Sequence, residues 1–432
     1  MRRTGLTGRT RAARTLIAAT LAAAPLLAAG PAVAAPLSTP PVPDTSVQYW
    51  FGNYQISKIW ALGATGQGIT VAVLDSGVQA DRVEFTGGVV LRGTDFAGGD
   101  GRTDTDRPVG HGTSIARFIA GQGGGRQDLT GIAPGAKILP ITVHSETLSA
   151  EQSISMGIDY AATHGAKVIN LSVASDGTGL PDHCPTTVAT AVRTALARGA
   201  VVVAGAGNDG AGANPPEWPA ACPGVIAVGA IDGAKKPWPK SERQSYVDVA
   251  APGVGMADTT LTNVVGTSDG TSNATALVSG AVALVWSKYP HLTNRQVVAR
   301  LLATVTDDAA TPGRDDATGY GIVRPYNAIV DRVPPTAPNP IFDEVRTSSG
   351  SGSPGPPASG SASAPASSSS SVAAPTASGD SGSSVGPLVI AALAVAVVVV
   401  LGIVLAVVLS RRRRPVPPGP PGYQPPGYYP PR

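Results

Sequence analysis

The chain reads as an α/β protein built on a doubly wound, mostly parallel sheet with helices on both faces, followed by one C-terminal transmembrane helix. Three observations lead there. Short β-branched apolar runs alternate with helical stretches through the middle of the sequence. Twice a helical stretch ends in glycine and passes directly into such a run, at Gly165-Ala166-Lys167-Val168-Ile169 and at Gly199-Ala200-Val201-Val202-Val203. Near the C-terminus, residues 388–409 form an apolar stretch free of charge. Strands joined by crossover helices lie parallel and are buried on both faces, so they appear as continuous apolar runs rather than alternating ones.

The two ends come away from this fold first. Residues 1–34 carry Arg2, Arg3, Arg9, Arg11 and Arg14, an apolar run and Ala32-Val33-Ala34, the layout of a secretory signal cleaved after Ala34. An N-terminal extension, 35–65, holds Tyr49, Trp50, Phe51, Tyr54 and Trp60, expected to pack on the domain surface. The folded domain is assigned to 66–333 and a Pro/Ser-rich stalk to 334–384, whose composition lacks the hydrophobicity to fold. Residues 388–409 would span about 33 Å as a helix at roughly 1.5 Å per residue, enough to cross a bilayer. Arg411 to Arg414 follow at once and place the tail, 410–432, in the cytoplasm with the body outside. The expected location is the cell membrane, single-pass.

Ten of the 32 basic residues lie in the signal and the tail, whereas all 29 acidic residues lie between them. The overall charge of +3 therefore hides a net acidic body. No basic patch invites nucleic acid. The two cysteines, Cys184 and Cys222, favour a disulfide over a metal site in an exported protein, and closing that loop would stabilise the fold by about 3–4 kcal/mol.

Taken in order, the domain starts with a buried strand at 69–75. A helix is expected at 112–121 and a strand at 136–144. The helix at 149–163 opens on a capping box of Ser149 and Gln152 and stops at Gly165. A strand at 167–173, a helix at 186–198, and strands at 200–205 and 225–229 follow. The helix at 272–289 is apolar around nearly its whole circumference and should be buried. A last helix, 294–304, has Thr293 and Gln296 at capping-box spacing, and the fold closes near Ile329.

In such a sheet, chemistry gathers at the carboxyl ends of the strands. Asp75 ends the first strand; standing alone it would cap a turn. His111 sits between glycines where a helix begins. Asn208 follows a strand within Gly205-Ala206-Gly207-Asn208-Asp209-Gly210, which also spells a dinucleotide fingerprint. That fingerprint needs a helix at the glycines, and Pro215, Pro216 and Pro219 exclude one. Ser272 stands in Gly270-Thr271-Ser272 at the mouth of the buried helix, where an ordinary serine would serve as an N-cap. Gly266-Thr267-Ser268 repeats the tripeptide but opens onto no helix. Together the four supply a nucleophile, a base, a carboxylate to fix the base and a donor for an oxyanion.

Val73-Leu74-Asp75-Ser76-Gly77, Gly110-His111-Gly112-Thr113, Ala206-Gly207-Asn208 and Gly270-Thr271-Ser272, in that order, resemble the subtilisin-like serine proteases. The likeness runs over about 66–329 and includes Gly319-Tyr320-Gly321 near the end. It implies a serine endopeptidase with Asp75, His111 and Ser272 as catalytic triad. Asn208 and the Ser272 N–H would form the oxyanion hole, and Ser172, Val173, Ala174, Ala206 and Gly207 would line the pocket for the residue before the scissile bond. Departures are Asn273 and Ala276, where many members carry Met or Phe and Pro.

The layout of short extension, core, stalk, single span and tail is similar to the membrane-anchored mycosins of type VII secretion. It implies a polypeptide substrate and membrane proteins of a secretion complex as partners, with no cofactor and no metal. A scaffolding role with proteolysis secondary is the alternative. A disulfide between Cys184 and Cys222 would brace the substrate cleft. Asp100, Asp104 and Asp106 fit no calcium loop and read as a solvated loop.

Overall fold

The computed structural model describes residues 44, 46–306 and 313–348. The predicted signal, membrane span and tail, and the stalk beyond residue 348, lie outside the described residues. Two short helices, α1 (Tyr49–Asn53) and α2 (Ile56–Ala61), lead into β1 (Thr70–Asp75), β2 (Thr94–Asp95), α3 (His111–Ala120), β3 (Lys137–Thr142) and α4 (Ala150–Thr163). Then come β4 (Val168–Leu171), β5 (Ser175–Asp176), α5 (Thr186–Ala197), β6 (Val201–Gly205), β7 (Glu217–Trp218), β8 (Val225–Ile231) and β9 (Val249–Pro252). A hairpin of β10 (Met256–Thr259) and β11 (Val265–Ser268) precedes α6 (Thr271–Lys288), α7 (Asn294–Leu302), α8 (Pro325–Val330) and α9 (Pro340–Ser348).

Seven strands form one sheet in the order β2-β3-β1-β4-β6-β8-β9, with parallel pairing throughout. Side-chain alternation explains why the sheet is covered twice. Val71 and Val73 of β1 and Val201 and Val203 of β6 enter one apolar cluster, with α3 and α6. Ala72, Leu74, Val202 and Ala204 enter the other, with α4 and α5. The chain leaves β1 for β3 on one side and later returns to β4 on the other, so the crevice beyond the ends of β1 and β4 is the switch point at which ligands bind.

The expected capping boxes at Ser149/Gln152 and Thr293/Gln296 are present, and Gly165 and Gly199 close their helices at φ of 79° and 87°. The strands β9, β10 and β11 were not expected from the sequence. They are four residues each, and β11 contains the repeated Gly266-Thr267-Ser268 and is largely exposed, so no long apolar run announces them.

Two expectations are corrected. The aromatics of the N-terminal extension are core rather than surface: Trp50 is 0% and Phe51 1% exposed. Three side chains of this segment also bond into the body. Gln48 exchanges two hydrogen bonds with the Thr130 main chain, Trp60 Nε1 donates to the Ile132 carbonyl, and the Tyr49 hydroxyl donates to that of Val254. At the other end, α9 falls inside the segment read as stalk. It docks through buried Ile341, an Arg295–Asp343 ion pair of 2.7 Å, and a hydrogen bond from Asn339 Nδ2 to the Arg295 carbonyl.

Cys184 and Cys222 are joined, tying the start of α5 to the turn after β7. Trp50→Ala should lower stability by about 3–5 kcal/mol, the usual cost of emptying a large aromatic site in a core. Urea unfolding monitored by circular dichroism measures this; a loss under about 1 kcal/mol would mean that the extension is peripheral after all.

Candidate active site

Asp75, at the carboxyl end of β1, is wholly buried. Its two carboxylate oxygens lie 2.8 and 2.9 Å from His111 Nδ1, so that nitrogen carries the proton and donates it. The Ser76 N–H donates to Asp75 Oδ1 at 2.7 Å, holding the carboxylate from the other side. Close approach of β1 to α3 depends on Gly112: a Cβ there would meet the Gly77 carbonyl oxygen at 2.1 Å and Asp75 Cβ at 3.1 Å.

His111 opens α3, whose N-cap is Gly110 with no side chain to offer. Side chains from outside the helix take up the free N–H groups of its first turn instead. Asp106 Oδ2 accepts from His111 N at 3.2 Å, Ser76 Oγ from Gly112 N at 3.1 Å, and Asp104 Oδ2 from Thr113 N at 2.9 Å. Asp104 also accepts from the hydroxyls of Ser76 and Thr113 and from Asp106 N. The acidic run is therefore not a solvated loop at this point. Asp104 is 0% exposed, and burial raises its pKa against these hydrogen bonds. Among the described residues no cluster of acidic, His or Cys side chains has the form of a metal site. Sequence reading singled out the carboxylates but not this role; the cue was their position just ahead of a helix whose cap is glycine.

About a third of the His111 side chain, 36%, is exposed. Burial pulls its pKa down, but the charge and hydrogen bond of Asp75, with Asp106 and Asp104 beyond, outweigh this and raise it from 6.5 to about 9.

Ser272 is the second residue of α6, and Gly270, not Ser272, is the N-cap. The reading of Ser272 as a simple cap therefore fails. Its hydroxyl makes one long contact, donating to the Ser172 carbonyl at 3.4 Å, while the Ser172 hydroxyl donates to the Ser272 carbonyl at 3.2 Å. The helix entrance is thus fixed to the chain leaving β4, and the Ser272 hydroxyl is left largely uncommitted. Asn273 is buried, its Nδ2 donating to Ser268 Oγ and the Gly253 carbonyl, and Ala276 lies inside a regular helix.

Asn208 follows β6. Its Oδ1 accepts from Thr271 N at 3.0 Å and from Thr271 Oγ1 at 3.1 Å. A main-chain N–H can only donate, so oxygen must face Thr271, and Nδ2 remains as the free donor. The Ser272 N–H in the first turn of α6 has no acceptor within the helix.

His111, Asn208, Ser172, Val173, Ala174 and Ser272 line one open cleft of about 1070 Å³, together with Asp106, Phe96 and His144. Ala206 and Gly207 are buried and do not line it. Ala206 N donates to the Val228 carbonyl, and Gly207 N donates to Thr271 Oγ1. A separate cavity of about 380 Å³ lies near Tyr54, Asp232 and Tyr326 and contains none of the groups above.

The Subtilase family model matches residues 66–321. The chain belongs to the subtilase family. Subtilisin E of Bacillus subtilis strain 168 is 35% identical over 264 residues, covering 60% of this subtilase and 66%, just under two thirds, of that protein. Subtilisin of Bacillus pumilus is 35% identical over 264 residues, covering 60% and 92%. Among solved structures, the MycP3 protease from the type VII (ESX-3) secretion system has a TM-score of 0.58 at 30% identity, covering 68% of this subtilase and 91% of that chain. MycP1 from Mycobacterium smegmatis has a TM-score of 0.57 at 27% identity, covering 70% and 88%. Subtilases are serine endopeptidases, and this chain is one.

Thr271 is a positioning residue that the sequence motifs left unremarked. Thr271→Ala deletes the hydroxyl that steadies Asn208 while keeping the main-chain bond. It should lower turnover by roughly fivefold, the worth of one net hydrogen bond, with KM unchanged. Steady-state kinetics on a peptide substrate reads the split, and an unchanged kcat would remove Thr271 from the site.

Proposed function

We propose that this subtilase is a membrane-anchored extracytoplasmic serine endopeptidase working by an Asp75/His111/Ser272 acyl-enzyme mechanism and linked to type VII protein secretion. The observation that carries the reading is His111 Nδ1 held by both oxygens of the buried Asp75 carboxylate, with Ser272 on the same cleft.

In this reaction the Ser272 hydroxyl turns from the Ser172 carbonyl toward the imidazole, loses its proton to His111 Nε2 and attacks the scissile carbonyl. Asp75 holds the tautomer that leaves Nε2 as acceptor and stabilises the imidazolium once formed. Charge arriving on the carbonyl oxygen meets Asn208 Nδ2 and the Ser272 N–H, two donors fixed before the reaction begins. His111 then hands the proton to the leaving amine, and water repeats the sequence to release the acyl group. Ser172, Val173 and Ala174 form a wall for the residue before the bond, with Ala206 and Gly207 behind.

The anchor rests on residues 388–409 and the arginines that follow. Among the described residues no helix is long and apolar enough to cross a membrane. The link to secretion rests on likeness to MycP1 and MycP3, described as proteases of type VII secretion systems. One of them is described as an essential component of its system, which favours a second reading in which the body also steadies a complex. Secretion that survives Ser272→Ala but fails on deletion of the whole protein would select that reading.

A fluorophosphonate probe should label the protein and Ser272→Ala should abolish labelling; labelling that persists would sink the mechanism. Asn208→Ala should lower turnover by roughly 10² to 10³, the effect known for the equivalent donor in subtilisin.

The pH dependence follows from the sign of the His111 shift. Only neutral imidazole accepts the serine proton, and Asp75, Asp106 and Asp104 favour the charged form. Activity is therefore lost as pH falls, and kcat/KM should climb with pH through about 9. Asp106→Asn should move that limb to lower pH, and a limb that does not move would exclude Asp106 from setting it.

A further inference from the structure

Behind the Val173 wall of the cleft lie two carboxylates that the proposed chemistry does not use. The chain that leaves the wall at Ala174 enters β5, which pairs antiparallel with β7, placing Asp176 opposite Glu217. The Glu217 N–H donates to the Tyr246 hydroxyl at 2.9 Å, and that hydroxyl donates to the Ala206 carbonyl at 3.3 Å. Glu217 is thereby held between the two strands of chain expected to form the pocket. Its carboxylate fills the space that a side chain at position 207 would need: a Cβ on Gly207 would lie 2.4 Å from Glu217 Oε2 and 2.5 Å from Glu242 Cγ. Gly207 has φ of 116°, a conformation that glycine adopts freely, so both space and backbone reserve this position for the carboxylates.

Glu242 is wholly buried. Its main-chain N–H donates to the Gly207 carbonyl, and its Oε1 accepts from Asp209 N. The Oε2 atoms of both Glu217 and Glu242 are buried without a hydrogen-bond partner. An ionised oxygen left so costs several kcal/mol unless a cation or a proton meets it. Burial first, then Glu242, Asp209 and Asp176, push the Glu217 pKa up to about 7; burial raises that of Glu242 against the Asp209 N–H and the Gln244 side chain. The pair thus takes up protons in the free protein and has unused capacity for a donor that carries positive charge.

We infer that Glu217 and Glu242 form the floor of the pocket for the residue before the scissile bond and select substrates with lysine or arginine at that position. This rests on the endopeptidase reading above and adds its substrate class. In the pocket that the subtilase resemblance implies, a residue whose carbonyl oxygen faces Asn208 Nδ2 directs its side chain past the Ser172–Ala174 wall toward the buried Ala206–Gly207 segment against which Glu217 and Glu242 pack. Both Oε2 atoms are buried behind that wall, so the proposed substrate carries a long side chain, whose terminal ammonium or guanidinium group supplies the missing donors.

Peptides differing only at that residue, as Lys, Arg, Leu or Phe, test the inference. The wild type should cleave the Lys and Arg peptides with higher kcat/KM, and Glu217→Gln or Glu242→Gln should cut the basic-to-neutral ratio by roughly 10- to 100-fold, the worth of a charge-assisted contact. The ratio should also grow as pH rises through about 7, as Glu217 ionises with Glu242, Asp209 and Asp176 facing it; His111 titration acts on both substrates and cancels. A wild type that prefers Leu or Phe, or variants that leave the ratio unchanged, would overturn it. Calorimetry of the same peptides on the Ser272→Ala protein reads the pocket without the chemistry and without altering either glutamate. Tighter binding of the basic peptides there supports the inference even if fluorophosphonate labelling fails, and equal binding overturns it even if labelling succeeds.

Discussion

The burial of α6 is the constraint on which the rest of the molecule depends. Of its 18 residues, 15 are buried, and a helix apolar on all sides cannot lie on a surface. It must have a sheet on one side and other helices on the remaining sides. It packs on β4, β6, β8 and β9, and on α3, α7 and α8. Its entrance is the exception. The first turn of any helix carries N–H groups with no partner inside the helix, so this end must meet polar groups or solvent. In this protein it meets Asn208, Ser172 and the cleft. Placing Ser272 there needs no distortion of the core, because the helix already has to deliver polar backbone to that spot.

α3 solves the same problem differently. Its N-cap is a glycine, and Ser76, Asp104 and Asp106 reach in to satisfy successive N–H groups. The result fixes the His111 backbone independently of the Asp75–His111 side-chain pair. Imidazole position is therefore determined twice, once from β1 and once from the loop at Asp104. The Ser76 hydroxyl joins the two supports, donating to both Asp75 and Asp104.

Sequence alone exposed the parts governed by local rules. Periodicity located β1, β3, β4, β6, β8 and the long helices because strands buried on both faces leave unbroken apolar runs. Capping spacing fixed the starts of α4 and α7. What stayed hidden depends on partners distant in sequence. Tyr49 and Trp60 look like a surface patch until Val254 and Ile132 are brought beside them. Asp104 looks solvated until folding puts Ser76 and Thr113 within hydrogen-bond reach. Asp75, His111, Asn208 and Ser272 were legible as types at strand and helix ends, but the role of Thr271 in orienting Asn208 was not, since nothing in Gly-Thr-Ser states which way an amide faces.

The acidic residues around the cleft divide into two groups by what satisfies them. Asp75, Asp104 and Asp106 each accept from main-chain N–H groups, several of them at the positive end of α3, so negative charge there is compensated within the fold and acts outward on His111. Glu217 and Glu242 have one main-chain donor between their carboxylates, from Asp209 to Glu242 Oε1, and both Oε2 atoms are buried without a hydrogen-bond partner. A protein of this size could replace both with apolar side chains at a gain in stability, because an uncompensated buried carboxylate opposes folding. Their place beside Gly207, where a larger residue has no room, makes sense if compensation comes from outside the chain. The fold thus leaves two buried carboxylate oxygens without a hydrogen-bond partner, packed against Gly207, one residue before Asn208.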